Sequence, residues 1–397
     1  MTQSVARWRS ETPGCEERIH LNNAGAALQP RPVLAAVHAH LEREAQIGGY
    51  EAAEEAAEKL QQCYADLALL LRTRSPNIAI VENATVALAQ ALSAFDFEPG
   101  DRIVTSTIDY PSNQIMYLSL ARRLGVEVVR ADNLPDGSVD PDSVRSLARH
   151  PRCRLVALSW VPTNSGLVQD AVAIGNVCDE LGIPFLLDGC QAVGQLPVNV
   201  AELGCDFLAG TARKFLRGPR GIGFLYVADR VFDRGHYPLY VDMRGAKWLQ
   251  PNGFSLADDA RRFENWEFSY ALVLGLGAAA RYSSDVGEEG LIRTRALTQE
   301  LRRNLSALSS VRLLDQGHEQ CAIVTAAVRG WNADDLKLAL RERGLNVSAS
   351  LREDGVIDMD AKGTPNVLRL SPHYYNTEGE ISSAVALIEE LATEVTR

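Results

Sequence analysis

An aspartate in this sequence stands directly after a short apolar stretch, and a lysine follows another such stretch within five residues. Asp188 follows the stretch 184–187, and Lys214, 26 positions later, follows the stretch 207–209. In an open parallel sheet, ligands bind where the carboxyl ends of the strands meet the N-termini of helices. The residues that follow each predicted strand are therefore the candidates for a binding site.

Asp188 requires a cation if it lies buried at the end of a strand. An isolated carboxylate loses its hydration there, which is costly unless an opposite charge meets it. A protonated pyridine nitrogen is such a cation, and the pair would keep the ring an effective electron sink. The alternative is that Asp188 caps the following helix, a position that aspartate often takes.

Lys214 is one of only five lysines in the chain, and it precedes a glycine-rich turn. A lysine that forms a Schiff base must be partly buried and close to an anion. Thr211 and Arg213, beside it, could both reach phosphate oxygens. The alternative is a basic turn at the surface, because Arg217 and Arg220 follow closely.

Two further junctions suit anions. The segment Val81–Thr85 runs from a strand into small and polar residues and then into an apolar helix, whose exposed N–H groups and dipole would favour a phosphate. Asn83 or Thr85 could also be a plain N-cap there. Arg369 is the lone charge in an apolar strand, and its guanidinium suits either a substrate carboxylate or a structural salt bridge.

In this order, the phosphate-type junction, Asp188, Lys214 and Arg369 resemble the class V aminotransferase superfamily of fold type I pyridoxal 5′-phosphate enzymes. The resemblance covers almost the whole chain, from the motif HLNNAG at 20–25 to RLSPHYYNT at 369–377. The superfamily includes cysteine desulfurases, C–S lyases, an epimerase branch and true aminotransferases. It implies an enzyme that acts at the α-carbon of an amino-acid substrate.

The resemblance also implies which residues hold the cofactor's phosphate and aldehyde. Ala84 and Thr85 would cradle the phosphate from one side, and Thr211 and Arg213 from the other. Arg213 stands where many members have a histidine. Lys214 would be the Schiff-base residue and the base that takes the α-proton.

The pyridine ring would have its own set of contacts. Tyr110 would stack on the ring, in a position where relatives often have a histidine, so a role in proton transfer is weakened. Asp188 would pair with the ring nitrogen, and Gln191 would approach the phenolic oxygen. Thr163 falls where relatives place an asparagine near that oxygen.

On the substrate side, the resemblance places Arg369 against the carboxylate, with Asn23 near it. Members are usually homodimers in which a loop of the partner completes the site. The segment 262–267, RFENWE, matches that loop. The resemblance therefore implies a homodimer.

The choice of reaction depends on a missing cysteine. Desulfurases of this superfamily need a cysteine nucleophile on a loop before the substrate arginine, but the chain has none between Leu345 and Arg369. The segment Gln46–Ala53 resembles sulfoxide lyases of the ergothioneine pathway, although Tyr50 could be an ordinary helix-start aromatic. A C–S lyase is favoured, with an aminotransferase, an epimerase and a non-catalytic regulatory protein that binds pyridoxal phosphate as alternatives.

The elements that position these residues form an α/β pattern. Short apolar strands alternate with helical stretches from 77 to 227, which predicts parallel strands with crossover helices. The seven predicted strands are Ile78–Val81, Arg102–Ser106, Glu127–Ala131, Leu155–Ser159, Pro184–Leu187, Phe207–Ala209 and Gly221–Val227. We expect a large domain at 30–250 with a mostly parallel seven-stranded sheet, as in fold type I enzymes.

The rest of the chain predicts a smaller α+β domain, built from 1–29 and 251–397. Helical stretches at 269–284 and 290–308 precede strands at 322–327, 345–349 and 367–370, and a final helix starts at Glu378. The segment 234–264 shows no clear periodicity and is typical of a binding loop.

Bulk composition excludes several other classes of protein. The formal net charge is −11, and no basic block could follow a phosphate backbone, so nucleic acid is not an expected partner. No apolar run reaches the length of a membrane span. The seven cysteines form no C-x-x-C pair, which suits the cytoplasm. His38 and His40 do not share a helix face, so no metal pair is predicted.

Overall fold

The computed structural model describes residues 2–394. The strands are β1 Ile19–His20, β2 Ile78–Val81, β3 Arg102–Thr105, β4 Glu127–Arg130, β5 Cys153–Ser159, β6 Phe185–Asp188, β7 Phe207–Thr211, β8 Gly223–Val227, β9 Ala246–Gln250, β10 Gly253–Leu256, β11 Val311–Leu313, β12 Val324–Val328, β13 Leu345–Asn346, β14 Ser348–Leu351 and β15 Asn366–Leu370. The seven strands predicted in the first part of the chain are confirmed, with ends that differ by at most two residues.

Helices alternate with many of these strands along the chain. They are α1 Gln3–Ser10, α2 Asn23–Ala26, α3 Arg31–Ile47, α4 Gly49–Glu55, α5 Ala57–Leu71, α6 Ala84–Ser93, α7 Pro111–Leu124, α8 Pro141–Ala148, α9 Ala171–Leu181, α10 Val200–Leu203, α11 Asp229–Asp233, α12 Tyr270–Ser306, α13 Ala333–Glu342, α14 Val356–Lys362 and α15 Glu378–Glu394.

The central sheet has seven strands in the order β2-β8-β7-β6-β5-β3-β4. Strands β3 to β7 pair in parallel. Strand β8 alone runs the opposite way, because it returns directly from β7, and β2 pairs antiparallel with it. The carboxyl ends of β2, β3, β5, β6 and β7 therefore meet at one edge of the sheet. This arrangement confirms the predicted fold type I α/β class.

Most of the buried hydrophobic residues belong to two main cores. The larger packs the seven strands against their helices and extends to Ala280 in α12, with a further segment at Cys321–Ile323. The second packs α13, α15 and the later part of α12 on a four-stranded antiparallel sheet of order β11-β12-β15-β14. The two cores meet along α12. The domain limits predicted from the sequence, at 29 and 250, stay a prediction.

Three details differ from the sequence predictions. The segments 269–284 and 290–308 belong to one helix, α12, which is broken at Gly287 (φ 56°). The segment 234–264, predicted to be irregular, contains the antiparallel hairpin β9–β10. The C-terminal sheet also has a strand, β11, whose three residues are too few to show a period.

Within residues 2–394, every helix is too short or too polar to cross a bilayer. All seven cysteines lie in this part of the chain and are buried free thiols. The cytoplasmic location expected from the cysteine pattern stays a prediction.

Glu264 attaches the segment after the hairpin to the edge of the central sheet. Its carboxylate accepts the N–H of Ile80 in the edge strand β2 at 2.7 Å and the hydroxyl of Tyr64 at 2.9 Å. Arg244 completes the cluster with an ion pair at 3.1 Å. Burial raises the pKa of the Glu264 carboxyl to about 7. This acid is therefore a contact between the segment and the sheet whose charge changes near neutral pH.

We predict that Glu264→Gln makes the melting temperature less dependent on pH between 4.5 and 7. The folded pKa, about 7, exceeds the ordinary value of 4.5, so the folded state alone keeps the proton in this range. The stability that this proton contributes is complete below the ordinary pKa and is lost as the pH rises through 7. Scanning calorimetry of wild type, Glu264→Gln and the exposed control Glu267→Gln measures the slope. An unchanged slope in Glu264→Gln would contradict the assignment.

Candidate active site

A cavity of about 410 Å³ opens at the carboxyl edge of the central sheet. All nine residues predicted to bind the cofactor line it, and they come from the ends of five strands: Ala84 and Thr85 after β2, Tyr110 after β3, Thr163 after β5, Asp188 and Gln191 at and after β6, and Thr211, Arg213 and Lys214 at and after β7. The fold thus brings together residues that are far apart in sequence.

Asp188 is the last residue of β6 and is 5% exposed. In the sheet it lies between Ser159 of β5 and Ala209 of β7. One carboxylate oxygen accepts the N–H of Cys190 at 2.9 Å, and the other accepts the side-chain amide of Asn113 at 2.9 Å. The side chain caps no helix, so the geometry favours the cation-binding interpretation over the N-cap alternative.

Lys214 is buried without an ion pair among residues 2–394, which sets it apart from Lys362, whose buried side chain pairs with Asp358, and from the other three lysines, which are exposed or half-buried. It is 6% exposed, and its amine makes no ion pair or hydrogen bond within the described residues. The amine lies 5.5 Å from the centre of the Tyr110 ring. Burial lowers the pKa of Lys214, while Cys190 and Asp188 act in the opposite direction. A surface turn does not fit this environment, and a lowered pKa leaves more of the amine neutral, as a nucleophile requires.

The turn that carries Lys214 is fixed from both sides. Arg217, in left-handed conformation (φ 61°), donates its backbone N–H to the carbonyl of Lys214 at 2.9 Å. Its guanidinium lies 4.4 Å from the ring centre of Tyr375 and donates to the hydroxyl of Tyr374 at 2.8 Å. His373 also contacts the turn, with Nε2 2.8 Å from the carbonyl of Phe215. The residues that follow the Arg369 strand therefore hold the lysine turn.

The N-terminus of α6 forms one end of the cavity. Asn83 caps this helix by accepting the N–H of Val86 at 3.0 Å, so the predicted N-cap is present, and the N–H groups of Ala84 and Thr85 remain available for an anion. The backbone of Gly223, in β8, passes directly beneath this helix N-terminus. A Cβ there would lie 2.7 Å from the carbonyl oxygen of Gly210 and 3.1 Å from the nitrogen of Ala84. Only glycine allows this close approach.

Arg369 lies in β15, between β12 and β14, and is 6% exposed. Its guanidinium makes no hydrogen bond or ion pair within residues 2–394, and its Nε is buried without a partner. Burial lowers the pKa of Arg369 to about 10, and Asp354 and Tyr110 oppose this shift. The salt-bridge alternative therefore has no partner among the described residues, whereas a carboxylate would satisfy this cation.

Two predicted site residues have other contacts. Asn23 lies outside the cavity wall: its amide donates to the carbonyl of Ser371 at 2.7 Å and its oxygen accepts the hydroxyl of Tyr375. Arg213 lines the cavity and also donates to the carbonyl of Gly25. The proposed contact of Asn23 with substrate stays a prediction.

The cavity fits pyridoxal 5′-phosphate in the chemistry of its wall. An anion-binding helix N-terminus lies at one end, and Lys214 and Asp188 lie within. Gln191, whose nitrogen donates to the carbonyl of Ala24 at 3.0 Å, has a buried side-chain oxygen without a partner in the described part of the chain. A wall that leaves such polar atoms unsatisfied is typical of a site built for a polar ligand.

Sequence reasoning missed polar residues in and behind the cavity wall. Ser159 and Asn113 line the cavity, and Asp109 lies beside them. Ser159 ends a predicted strand, so the rule that singled out Asp188 could have found it. Asn113 stands one helical turn after Tyr110, and no sequence signal separates it from a residue that faces solvent.

The segment 262–267, predicted to complete the site of a partner subunit, is buried in its first half and accessible in its second half. Arg262, Phe263 and Glu264 are buried in their own chain. Trp266 and Glu267 remain exposed, and Asn265 donates to Glu82 at 3.0 Å, beside the helix N-terminus of the cavity. Only the second half of the segment is available to another molecule.

Comparison with protein families agrees with this site. The model of the family “Aminotransferase class-V” matches residues 19–383. The chain belongs to this family. It is therefore a class V enzyme whose cofactor is pyridoxal 5′-phosphate and whose substrates are amino acids. A non-catalytic regulatory protein no longer fits.

Individual relatives carry different activities in their names. A “Probable cysteine desulfurase” of Methanothermobacter thermautotrophicus is 27% identical over 393 residues, which cover 97% of both chains. A “Probable hercynylcysteine sulfoxide lyase” of Mycobacterium tuberculosis is 26% identical over 397 residues, 97% of this chain and 93% of the relative. The structure of an apo cysteine desulfurase from Thermococcus onnurineus NA1 superposes with a TM-score of 0.90 at 23% identity, with 98% of each chain covered, and shares the fold.

We predict that Gly223→Ala weakens cofactor binding. The new methyl group must displace the N-terminus of α6 or the strand beneath it, and overpacking of this kind costs about 1–3 kcal/mol, or roughly five- to 150-fold in affinity. Titration of apoprotein with pyridoxal 5′-phosphate measures the change. Gly379→Ala in α15, where the nearest side-chain atom would be 3.8 Å away, is the control. Equal affinity of Gly223→Ala and wild type would argue against a phosphate at this helix.

Proposed function

We propose that the protein is a carbon–sulfur lyase, which eliminates a sulfur-bearing group from the β-carbon of an amino acid. The observation that carries this proposal is the absence of a reactive thiol at the cavity. Cys190 is the only cysteine in the described cavity wall, and burial raises its pKa well above the ordinary value. A neutral thiol is a poor nucleophile, so transfer of sulfur to this cysteine is disfavoured.

The segment that precedes Arg369 supports the same conclusion. It contains no cysteine, and it is held to the rest of the protein. Lys362 donates to the carbonyl of Asn164 at 2.7 Å and pairs with Asp358 at 2.8 Å, while Asn164 donates to the carbonyl of Asp354 at 3.1 Å. This segment has no side chain that could accept sulfur and carry it away. The relative named as a sulfoxide lyase, 26% identical to this chain, supports elimination.

Each proposed role follows from the local environment. Pyridoxal 5′-phosphate, when bound, supplies an electron sink for the pair left at the α-carbon. Asp188 would face its ring nitrogen, Tyr110 would cover one face of the ring, and Thr163 and Gln191 would lie near its phenolic oxygen. The N-terminus of α6, with Ala84 and Thr85, would hold the phosphate from one side, and Thr211 and Arg213 from the other.

Two residues would act on the substrate itself. Arg369 would bind the substrate carboxylate through its unpaired guanidinium and so fix the orientation of the α-carbon. Lys214 would hold the cofactor's aldehyde carbon until substrate replaces it, and its freed amine would then take the α-proton. The electron pair left at the α-carbon would form a double bond to the β-carbon as the bond between the β-carbon and sulfur breaks, and the sulfur would leave with the electron pair of that bond.

We predict that the holoenzyme converts S-substituted cysteines or their sulfoxides to pyruvate and ammonia. Lys214→Ala should lower this rate by roughly 10²–10⁴-fold or more, because it removes the general base. Cys190→Ala is the matched control and should keep the activity, since elimination needs no thiol. Coupled assays for pyruvate and ammonia measure both.

Other products would reject elimination. A new amino acid formed from a 2-oxo acid would identify an aminotransferase, and a change in the configuration of the α-carbon would identify an epimerase. Alanine together with protein-bound sulfur, lost in Cys190→Ala, would identify a desulfurase.

We also propose a homodimer that forms through the hairpin β9–β10. Large apolar side chains are exposed there and on the flanking loops: Leu239, Tyr240, Met243, Trp248, Leu249, Phe254 and Trp266. Trp248 is 81% exposed, and an apolar patch of this kind is typical of an interface. Trp266 lies next to Asn265, which contacts Glu82 near the cavity, so a partner on this patch would lie close to the phosphate end of the site.

We predict that the double substitution Trp248→Ser and Phe254→Ser converts a dimer into a monomer. The substitutions would remove the apolar surface that these two side chains bury at the interface. Sedimentation measures the mass relative to the 43.3 kDa chain. Leu69→Ser, which changes an apolar residue that is 70% exposed on α5, is the control and should remain dimeric. A wild-type protein that sediments as a monomer would reject the proposal.

A further inference from the structure

A second carboxylate lies behind Asp188. Asp109 is 6% exposed, and Asn113 connects the two acids. The side-chain nitrogen of Asn113 lies 2.9 Å from one oxygen of Asp188 and 3.4 Å from one oxygen of Asp109. Because ionised carboxylates only accept hydrogen bonds, the Asn113 amide must turn its nitrogen to both of them. Asn113 lines the cavity, and its side-chain oxygen is buried and has no hydrogen-bond partner within residues 2–394.

Asp109 is held by donors from three elements. Thr105, at the end of β3, donates its hydroxyl at 2.9 Å, and Ser159, at the end of β5, donates its own. The backbone N–H of Tyr110, just before α7, donates at 2.9 Å. Asp109 therefore ties together the strand ends that carry the stacking tyrosine and one wall of the cavity.

These donors do not neutralise the charge. Burial raises the pKa of Asp109 to about 6, and the charge of Asp188 acts in the same direction. The other main influences come from Ser159, Thr105 and the Tyr110 amide, and no cation is among them. Two buried acids that share one amide repel each other, and such an arrangement is costly unless a positive charge joins it. The free side of Asp188 faces the cavity, where that charge would bind.

We propose that Asp109 is a positioning residue for the pyridinium site: through Asn113 it fixes the carboxylate of Asp188, and its own charge adds to that of Asp188 on a protonated ring nitrogen. This inference rests on the proposed role of Asp188. It adds a second, buried acid to the cofactor site. By accepting the N–H of Tyr110, the same carboxylate also fixes the residue that would cover the ring.

The charge of Asp109 should make the cofactor site sensitive to pH. The groups that face Asp109 are the carboxylate of Asp188 from β6, the hydroxyl of Tyr117 from α7, and the hydroxyls of Thr105 and Ser159 from β3 and β5. As the pH falls through about 6, Asp109 takes up a proton and the second negative charge is lost. The visible absorption band of the bound cofactor should then change in wild type.

The test uses the holoenzyme with Asp109→Asn, a substitution of nearly equal size that removes the charge. Its cofactor dissociation constant should rise about tenfold, the scale of one hydrogen bond to a charged group. The change in the absorption band near pH 6 should disappear. If this variant does not fold, Asn113→Ala, which removes the bridge, decides the question and should also raise the dissociation constant.

Asp206→Asn is the matched control. Asp206 is 1% exposed in the same sheet and pairs with Arg230 at 2.6 Å, but it precedes β7 and lies at the edge opposite the cavity. This variant should lose stability and keep both the cofactor affinity and the pH response of wild type. Asp206→Asn would overturn the proposal if it reproduced the spectral change of Asp109→Asn, because the effect would then come from destabilisation alone.

Asp188→Asn separates this inference from the proposed function. If Asp188→Asn weakens cofactor binding while the folded Asp109→Asn binds and titrates like wild type, Asp109 has no such role and only this inference fails. If Asp188→Asn has no effect either, the proposed role of Asp188 fails together with the inference.

Discussion

The burial of a single amine, that of Lys214, at the edge where five strands end is the constraint on which the site depends. A buried ammonium without an ion pair is unfavourable, so burial shifts the lysine toward its neutral, nucleophilic form. The nearby carboxylate of Asp188 limits that shift. The sheet order, the glycine beneath α6 and the tyrosine rings that hold Arg217 all serve to place these two groups around one cavity.

The relation between the two cores is the second requirement for the reaction. Arg369 belongs to the C-terminal sheet, while Lys214 belongs to the central one. Arg217 contacts the tyrosines that follow Arg369, and its backbone hydrogen-bonds to the lysine turn. The distance between the group that would bind the substrate carboxylate and the group that would take the α-proton is therefore set by direct contacts. Productive orientation of the α-carbon needs this kind of rigidity.

The sequence predicted the central sheet well because its strands are short apolar runs between polar turns. It also indicated Asp188 and Lys214, since Asp188 follows such a run directly and Lys214 stands in the turn after another. The hairpin β9–β10 was missed because its strands are exposed and lack a regular alternation. Asp109 and Asn113 were missed for another reason: polar residues at a helix start look like caps, and only the fold shows that they lie against Asp188.

One measurement tests the central claim directly. Borohydride reduction of the holoenzyme fixes pyridoxal 5′-phosphate to the amine that holds it, and peptide mass spectrometry then identifies that lysine. The account predicts the reduced pyridoxyl group on Lys214 and on none of the other four lysines, Lys59, Lys247, Lys337 and Lys362. A label on any of these four, or no label at all, would contradict it.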